Sequence, residues 1–188
     1  GGTWKKLSCD VLPETFEKEA AFAASNTNIA VKGDKAWVVS GGAKSRVFYT
    51  ADKGETWKAF TTPMVEGLET TGIYSVAFRT ENDGIIFGGN YLKPEGNRSN
   101  KAITMDGGST WQLIADHTEP EFKSCVQYVP NSNGRQIVAV GFTGISMTND
   151  YGQTWKEISK EKFYTIRFLN DTTAIAAGSK RIAKITFE

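Results

Sequence analysis

Three carboxylates stand at matching positions in this chain: Asp52, Asp106 and Asp150, each two residues after one threonine and four before another. An aspartate in a cleft is a candidate general acid or base. Repetition argues against that reading here, because a catalytic site is needed once and these residues recur at every turn. The full segments are Thr50-Ala51-Asp52-Lys53-Gly54-Glu55-Thr56-Trp57, Thr104-Met105-Asp106-Gly107-Gly108-Ser109-Thr110-Trp111 and Thr148-Asn149-Asp150-Tyr151-Gly152-Gln153-Thr154-Trp155. They share T-x-D-x-G-x-T-W. An Asp after Thr folds its carboxylate onto backbone N–H groups and a hydroxyl a few residues on. Gly54, Gly108 and Gly152 supply a positive-φ position, and Thr56, Thr110 and Thr154 restart a strand. Trp57, Trp111 and Trp155 then plug between sheets, each burying roughly 150–250 Å². The chemistry is structural.

Other reactive side chains are few. His117 is the single histidine, which excludes a His-pair metal site, and no metal is expected. Cys9 and Cys125 are not expected to bridge, since one follows an outermost strand and the other lies on an innermost one. No Gly-x-Gly-x-x-Gly stands between a strand and a helix, so no cofactor is expected. Lys plus Arg number 22 against 21 Asp plus Glu, a formal charge of +1, which leaves no basic field for nucleic acid. No run approaches the ~20 apolar residues of a membrane span.

The elements that must hold these turns follow a regular beat. Trp4, Trp57, Trp111 and Trp155 are spaced by 53, 54 and 44 residues, and Gly2-Thr3-Trp4 fits the tail of a fourth copy. Strand-like runs such as 35–42, 46–50, 73–78, 84–89, 101–104, 124–129, 136–141 and 144–148 precede the turns, and 164–169, 174–178 and 181–186 follow the last. Each unit reads as three strands, an Asp turn and a fourth strand. The fold class is all-β, a β-propeller of four-stranded antiparallel blades in a single domain. Blades are expected at about 23–62, 72–115, 122–159 and 163–187. The last lacks an outer strand, and residues 2–7 form an outer strand lacking a blade. The two remnants complete one another, or two copies pair as a homodimer through open edges, or further blades precede this segment.

The repeated motif resembles the Asp box, or bacterial neuraminidase repeat, at the turn between the third and fourth strands of a propeller blade. More narrowly, Glu19 to Asn28 with Trp37-Val38-Val39-Ser40-Gly41-Gly42, Ile73 to Arg79, and Arg181 to Phe187 are similar to bacterial photosystem II stability/assembly factor-like proteins. Some of that group carry the label oxidoreductase, which no cofactor fingerprint here supports. The resemblance implies a longer propeller of six or seven blades, of which this is the C-terminal part, and a periplasmic or secreted location. It implies a non-catalytic scaffold for protein binding or assembly. The wider Asp-box set includes sialidases and xyloglucan-active glycoside hydrolases, so a carbohydrate-active enzyme is the alternative. A sialidase needs an arginine triad and an early F/Y-R-I/L-P motif; Ile166-Arg167-Phe168-Leu169 lacks its proline.

Ligands of such propellers usually meet the face opposite the Asp turns. The loops there are basic, with Lys44 and Arg46, Lys93, Arg98 and Lys101, then Lys180 and Arg181, while blade connections are acidic. This reads either as a surface with charges paired across loops or as a recognition face for a protein or a polar, anionic ligand. The long loop 90–100 offers Tyr91 with Arg98 as a contact pair, and Arg79, Gln127 and Arg167 are placed to project into the channel.

Overall fold

The computed structural model describes residues 2–6, 8–23 and 25–187. A short 3₁₀ turn at Cys9–Val11 precedes strands β1 (Glu19–Ala20), β2 (Ile29–Lys32), β3 (Lys35–Val39), β4 (Gly41–Gly42), β5 (Arg46–Thr50) and β6 (Lys58–Thr61). Then follow β7 (Leu68–Phe78), β8 (Gly84–Asn90), β9 (Lys101–Thr104), β10 (Gln112–Leu113), β11 (Cys125–Tyr128), β12 (Ile137–Gly141), β13 (Gly144–Thr148), β14 (Lys156–Ser159), β15 (Thr165–Phe168), β16 (Thr173–Gly178) and β17 (Arg181–Thr186). Sequential antiparallel pairing groups them as a four-bladed β-propeller: β2-β3-β5-β6, β7-β8-β9-β10, β11-β12-β13-β14 and β15-β16-β17.

Alternating side chains give each blade two faces, and the apolar ones meet between neighbours. Trp37, Val39 and Val47 of blade 1 pack against Ile73, Val76, Phe78 and Ile86 of blade 2. Ile85 and Phe87 of blade 2 meet Val126, Ile137 and Ala139 of blade 3. Val138, Val140 and Ile145 of blade 3 meet Ile166, Ala174 and Ala176 of blade 4. The innermost strands lie side by side in chain order, β2 on β7, β7 on β11 and β11 on β15. Hydrogen bonds tie them: Thr27 bridges Ser75 in parallel, and the Val126 N–H donates to Ser75 Oγ at 2.9 Å.

Blade 4 does not pack back on blade 1 in this way among the described residues. Arg167 Nη2 reaches the Asn26 carbonyl at 3.4 Å, while Ile29 and Val31 on the far face of blade 1 stay 51% and 61% exposed. Blade 4 has three strands. Residues 2–6 carry no strand, and Trp4 is 93% exposed, so these residues do not form the outer strand expected for 2–7; Leu7 lies outside the described residues. One pairing has no counterpart in the sequence-based reading: β1 joins β4, and β4 joins the N-terminal end of β7, extending blade 2 inward.

The repeated motif forms the same hydrogen-bonded turn three times. Asp52 Oδ1 accepts from the Thr50 hydroxyl at 2.7 Å and the Thr56 N–H at 2.9 Å, and Oδ2 accepts from the Thr56 hydroxyl at 2.6 Å. Gly54 N–H donates to Thr50 Oγ1 at 2.9 Å, and Trp57 Nε1 to the Gly54 carbonyl at 3.0 Å. Asp106 and Asp150 repeat the pattern, with their threonine hydroxyls at 2.6 and 2.5 Å from Oδ2. Each carboxylate therefore has its acceptor sites filled by its own turn. The turns also lock to the first hairpin of the same blade, where Lys53 N–H donates to the Asp34 carbonyl at 2.9 Å and Gly107 N–H to Asn82 at 3.0 Å.

Trp37 is fully buried, stacks on Phe78 with centroids 3.8 Å apart and donates to the Gly107 carbonyl at 2.7 Å. Trp37→Ala opens a cavity at the seam of blades 1 and 2 and should destabilise the protein by about 3–5 kcal/mol, measured by urea unfolding. The turns set the acid limit. Bonds from the Thr56 hydroxyl and N–H and the Thr50 hydroxyl hold Asp52 down to about 2. Partial desolvation raises Asp106 and Asp150, but their threonine bonds outweigh it and leave both lowered. A carboxyl depressed by folding adds stability above its unfolded value of about 3.9 and loses it as pH falls toward the folded one. Melting temperature should hold from neutral pH to about 4 on account of these groups, then fall toward about 2, with Asp52→Asn blunting the fall.

Candidate functional site

The Asp turns share one face with the first hairpin of each blade. The opposite face, built from second-to-third-strand loops and blade connections, carries the more elaborate construction, and it begins with a strap. Gly42 lies so close to residue 18 that a Cβ there would meet the Lys18 carbonyl at 2.1 Å, and its φ of +89° suits glycine. That approach lets β1 lie on β4. Glu19 is then buried, with Oε1 accepting from Ser40 Oγ at 2.6 Å and Arg46 Nε at 2.9 Å, and Oε2 from Arg46 Nη2 at 2.7 Å. Burial alone would raise the Glu19 carboxyl, but bonds from Arg46 and Ser40 override it and the net direction is downward. Arg46 also donates to the Glu14 carbonyl at 2.8 Å, and its guanidinium sits 4.9 Å from the ring centroids of both Phe16 and Phe48.

The strap continues to Phe22, whose ring stacks on Tyr74 at 3.8 Å. Tyr74 is the extra residue of a bulge in β7, between Ile73 and Ser75, which aims its ring onto this face. Phe122 meets Tyr74 edge-on at 4.9 Å, and Phe142 packs on Phe122 at 5.0 Å. Tyr91 stands at the rim, edge-on to Tyr74 at 6.3 Å, beside exposed Leu92.

Two fully buried lysines fasten the blade 2–3 connection. Lys101 Nζ donates to Asn100 Oδ1 at 3.0 Å and to the Thr118 and Pro120 carbonyls at 2.9 and 3.3 Å. Lys123 Nζ donates to Thr143 Oγ1 at 2.8 Å and lies 3.7 Å from a Glu121 carboxylate oxygen. Thr143 Oγ1 in turn donates to the Phe122 carbonyl at 2.6 Å. Beside this framework opens a cleft of about 550 Å³, bounded by Pro94 and Glu95 of the long loop, Glu119 and Glu121 of the connection, Phe142, and Glu157 of β14. Lys160 and Lys162 stand at its edge. It offers four carboxylates against two ammonium groups around an aromatic wall.

The residues expected on a binding face are dispersed. Arg46 is consumed by the strap. Lys44 pairs with Glu66 at 2.6 Å, and Arg181 pairs with Glu161 while lying 4.5 Å from the Phe163 ring centroid. These are charges paired across loops. Arg98 and Lys180 are exposed, with no ion pair among the described residues, and no hydrogen bond or cation–π contact joins Arg98 to Tyr91. Arg79 lies at the other mouth of the channel, paired with Asp83. Arg167, on the innermost strand of blade 4, donates to Thr165 Oγ1 at 3.1 Å and the Ile166 carbonyl at 2.8 Å. Cys9 and Cys125 are both free thiols. Among the described residues no group of three acidic, His or Cys side chains is arranged to hold a metal. Tyr74 and Phe122 carry only the weak local signal of an aromatic at an inner-strand start or on a connection, while Phe142, in the β12–β13 loop, and Glu157, on β14, carry none.

Fold and face define a β-propeller scaffold with one strapped, partly aromatic face. No protein-family model matches the chain, and no curated protein matches it. Solved structures do. The chain is similar to a GH74 enzyme from Niastella koreensis, at TM-score 0.62 and 15% identity, over 88% of this chain and 29% of that one. It is similar to YCF48 bound to a D1 peptide, at TM-score 0.59 and 18% identity, over 94% of this chain and 57% of that one. It is also similar to the GH74 xyloglucanase of Xanthomonas campestris, at 0.57 and 13%, over 83% and 27%. The chain thus spans little more than half of the YCF48 chain and under a third of either enzyme. The likeness is one of fold.

The buried lysines give the face a signature in alkali. Burial pushes Lys101 down to about 8, against the pull of Asp116 and Glu121, and burial also lowers Lys123. Between the folded value and the unfolded one near 10.4, the unfolded chain binds more protons, so stability rises with pH across that window. Melting temperature should climb from about 8 toward about 10, and Lys101→Met should leave only the smaller rise from Lys123.

Proposed function

We propose that this chain is a non-catalytic propeller that binds an extended polypeptide carrying Lys or Arg in the cleft between the long loop of blade 2 and the outer strand of blade 3. The observation that carries this reading is the cleft itself: Glu95, Glu119, Glu121 and Glu157 surround the Phe142 ring on a face made rigid by buried Lys101 and Lys123. An aromatic wall takes the aliphatic stem of a basic side chain, and carboxylates take its head. Of the expected basic groups, Lys44, Arg46 and Arg181 are spent on ion pairs and Lys101 on buried carbonyls, which favours a cationic ligand over an anionic one in this cleft. The resemblance to assembly-factor-like proteins supports the reading, as does the likeness in fold to YCF48, a propeller seen with a peptide. The same carboxylates, with the likeness to GH74 enzymes, support a second reading as a glycoside hydrolase, which needs two of them about 5–10 Å apart across a sugar.

Fluorescence anisotropy with labelled basic, neutral and acidic octapeptides tests the first. The basic set should bind, more weakly as salt rises, and Glu95→Gln with Glu157→Gln should loosen it by at least about tenfold. Equal binding of the acidic set sinks the proposal. Xyloglucan oligosaccharides and aryl glycosides should be left intact; turnover abolished by Glu119→Gln would establish the second reading instead.

A further inference from the structure

Among the described residues blade 4 has three strands, and one segment with the sequence of an outer strand lies outside every blade. Thr3-Trp4-Lys5-Lys6-Leu7-Ser8 matches Thr154-Trp155-Lys156-Glu157-Ile158-Ser159, the segment that closes the third turn and forms β14. Trp57, Trp111 and Trp155 are each partly buried with the ring N–H bonded to a glycine carbonyl, whereas Trp4 stands in the open.

The place such a segment would occupy is present. Among the described residues β17 has no partner on its outer edge, and beside it a groove of about 580 Å³ runs between blades 3 and 4, lined by Ile145, Met147, Ile158, Phe163, Ile185 and Phe187. In blade 3 the Trp155 ring faces the preceding blade, edge-on to Phe87 at 5.6 Å. Moved on by one blade, the same geometry points Trp4 into this groove.

The far face of blade 4 is equally unfinished. Gly141 pairs with Gly144 in blade 3 as Gly178 does with Arg181 in blade 4, so Ile182 is the counterpart of Ile145. Ile145 is buried against the next blade, while Ile182 is 77% exposed. Ile29 and Val31 of blade 1 are the matching exposed face at the other end.

We propose that Thr3–Lys6 of a second copy of this chain pairs with the free edge of β17 and seats Trp4 in the groove, and that the exchange is reciprocal. A twofold arrangement closes such an exchange without leaving an edge. The segment leads directly into blade 1 of its own copy, so its docking brings that Ile29–Val31 face beside Ile182 of the partner copy's blade 4. Within one copy the strap fixes residues 14–22 to blades 1 and 2, and among the described residues blade 1 does not pack on blade 4. Transposing the Met147–Lys156 pairing sets Lys5 across from Lys184, so screening by salt strengthens the association. This interface stands apart from the peptide cleft and does not rest on it.

Sedimentation velocity over a range of concentrations, at low and high salt, tests the proposal. A species of twice 20.6 kDa is expected, favoured by salt. Trp4→Ala should weaken it by at least about tenfold. Lys6→Pro should do the same, because proline cannot donate to a ladder. Both variants should keep the parent far-UV circular dichroism, since neither position is engaged within one copy. A mass of 20.6 kDa throughout, including one in which the parent's Trp4 is quenched by self-docking, overturns the proposal. So does a dimer indifferent to both substitutions.

Discussion

A four-stranded sheet cannot bury either of its faces alone, and everything in this molecule follows from where each face finds cover. Trp37 makes the point. It stands on β3, the second strand of blade 1, yet Phe78 and the turn at Gly107, both from blade 2, cover it. The same dependence repeats from blade 2 to blade 3 and from blade 3 to blade 4. The Asp turns serve this stacking. By satisfying each carboxylate within its own turn, they set the fourth strand's direction without drawing on neighbouring blades, so one design can be used wherever a blade must close.

That locality is why the turns were legible in the residues. Every bond made by Asp52, Asp106 and Asp150 is to a residue within four positions, and such geometry survives in spacing. The blades followed, because turns at fixed intervals leave little else for the intervening apolar runs to be. The strap was not legible. Glu19 and Arg46 are separated by a hairpin, and nothing in either local sequence says that Gly42 lets the chain approach closely enough to bring them together. Lys101 reads as a loop charge for the same reason: a lysine is mostly exposed unless its head finds acceptors, and here the acceptors are carbonyls of a distant connection. Tyr91 and Arg98 failed in the other direction. Sharing a loop brought them near in sequence, but the loop spends its contacts on its own turns, on Val65, Asp116 and Phe122, and on Tyr74.

Burying three cations on one face is an expensive way to fold, since each gives up hydration that only good acceptors replace. Here each is well supplied. Arg46 has both Glu19 oxygens, a carbonyl and two aromatic faces; Lys101 has three oxygen acceptors; Lys123 has Thr143 with Glu121 beyond it. These groups hold the strap, the long loop and the blade 2–3 connection in fixed relation. The turn face has no comparable fastening, needing none beyond its own hairpins. The result is a fastened, partly aromatic surface on which Glu95, Glu119 and Glu157 stand beside the Phe142 ring.

The two ends of the blade stack then have to be understood in the same terms as its middle. Interior seams bury Val138, Val140 and Ile145 on one side and Ile166, Ala174 and Ala176 on the other. At the ends, Ile29, Val31 and Ile182 hold positions equivalent to those buried residues and face solvent. A sheet face that is apolar in pattern and uncovered in place is a seam with one half present. Covering it needs a neighbouring blade rather than a ligand, because the surface is flat, strand-periodic and bordered by an unpaired edge. The cleft proposed for a peptide and the open seam would therefore take different occupants: the first a charged segment held at its side chains, the second a sheet held through its backbone.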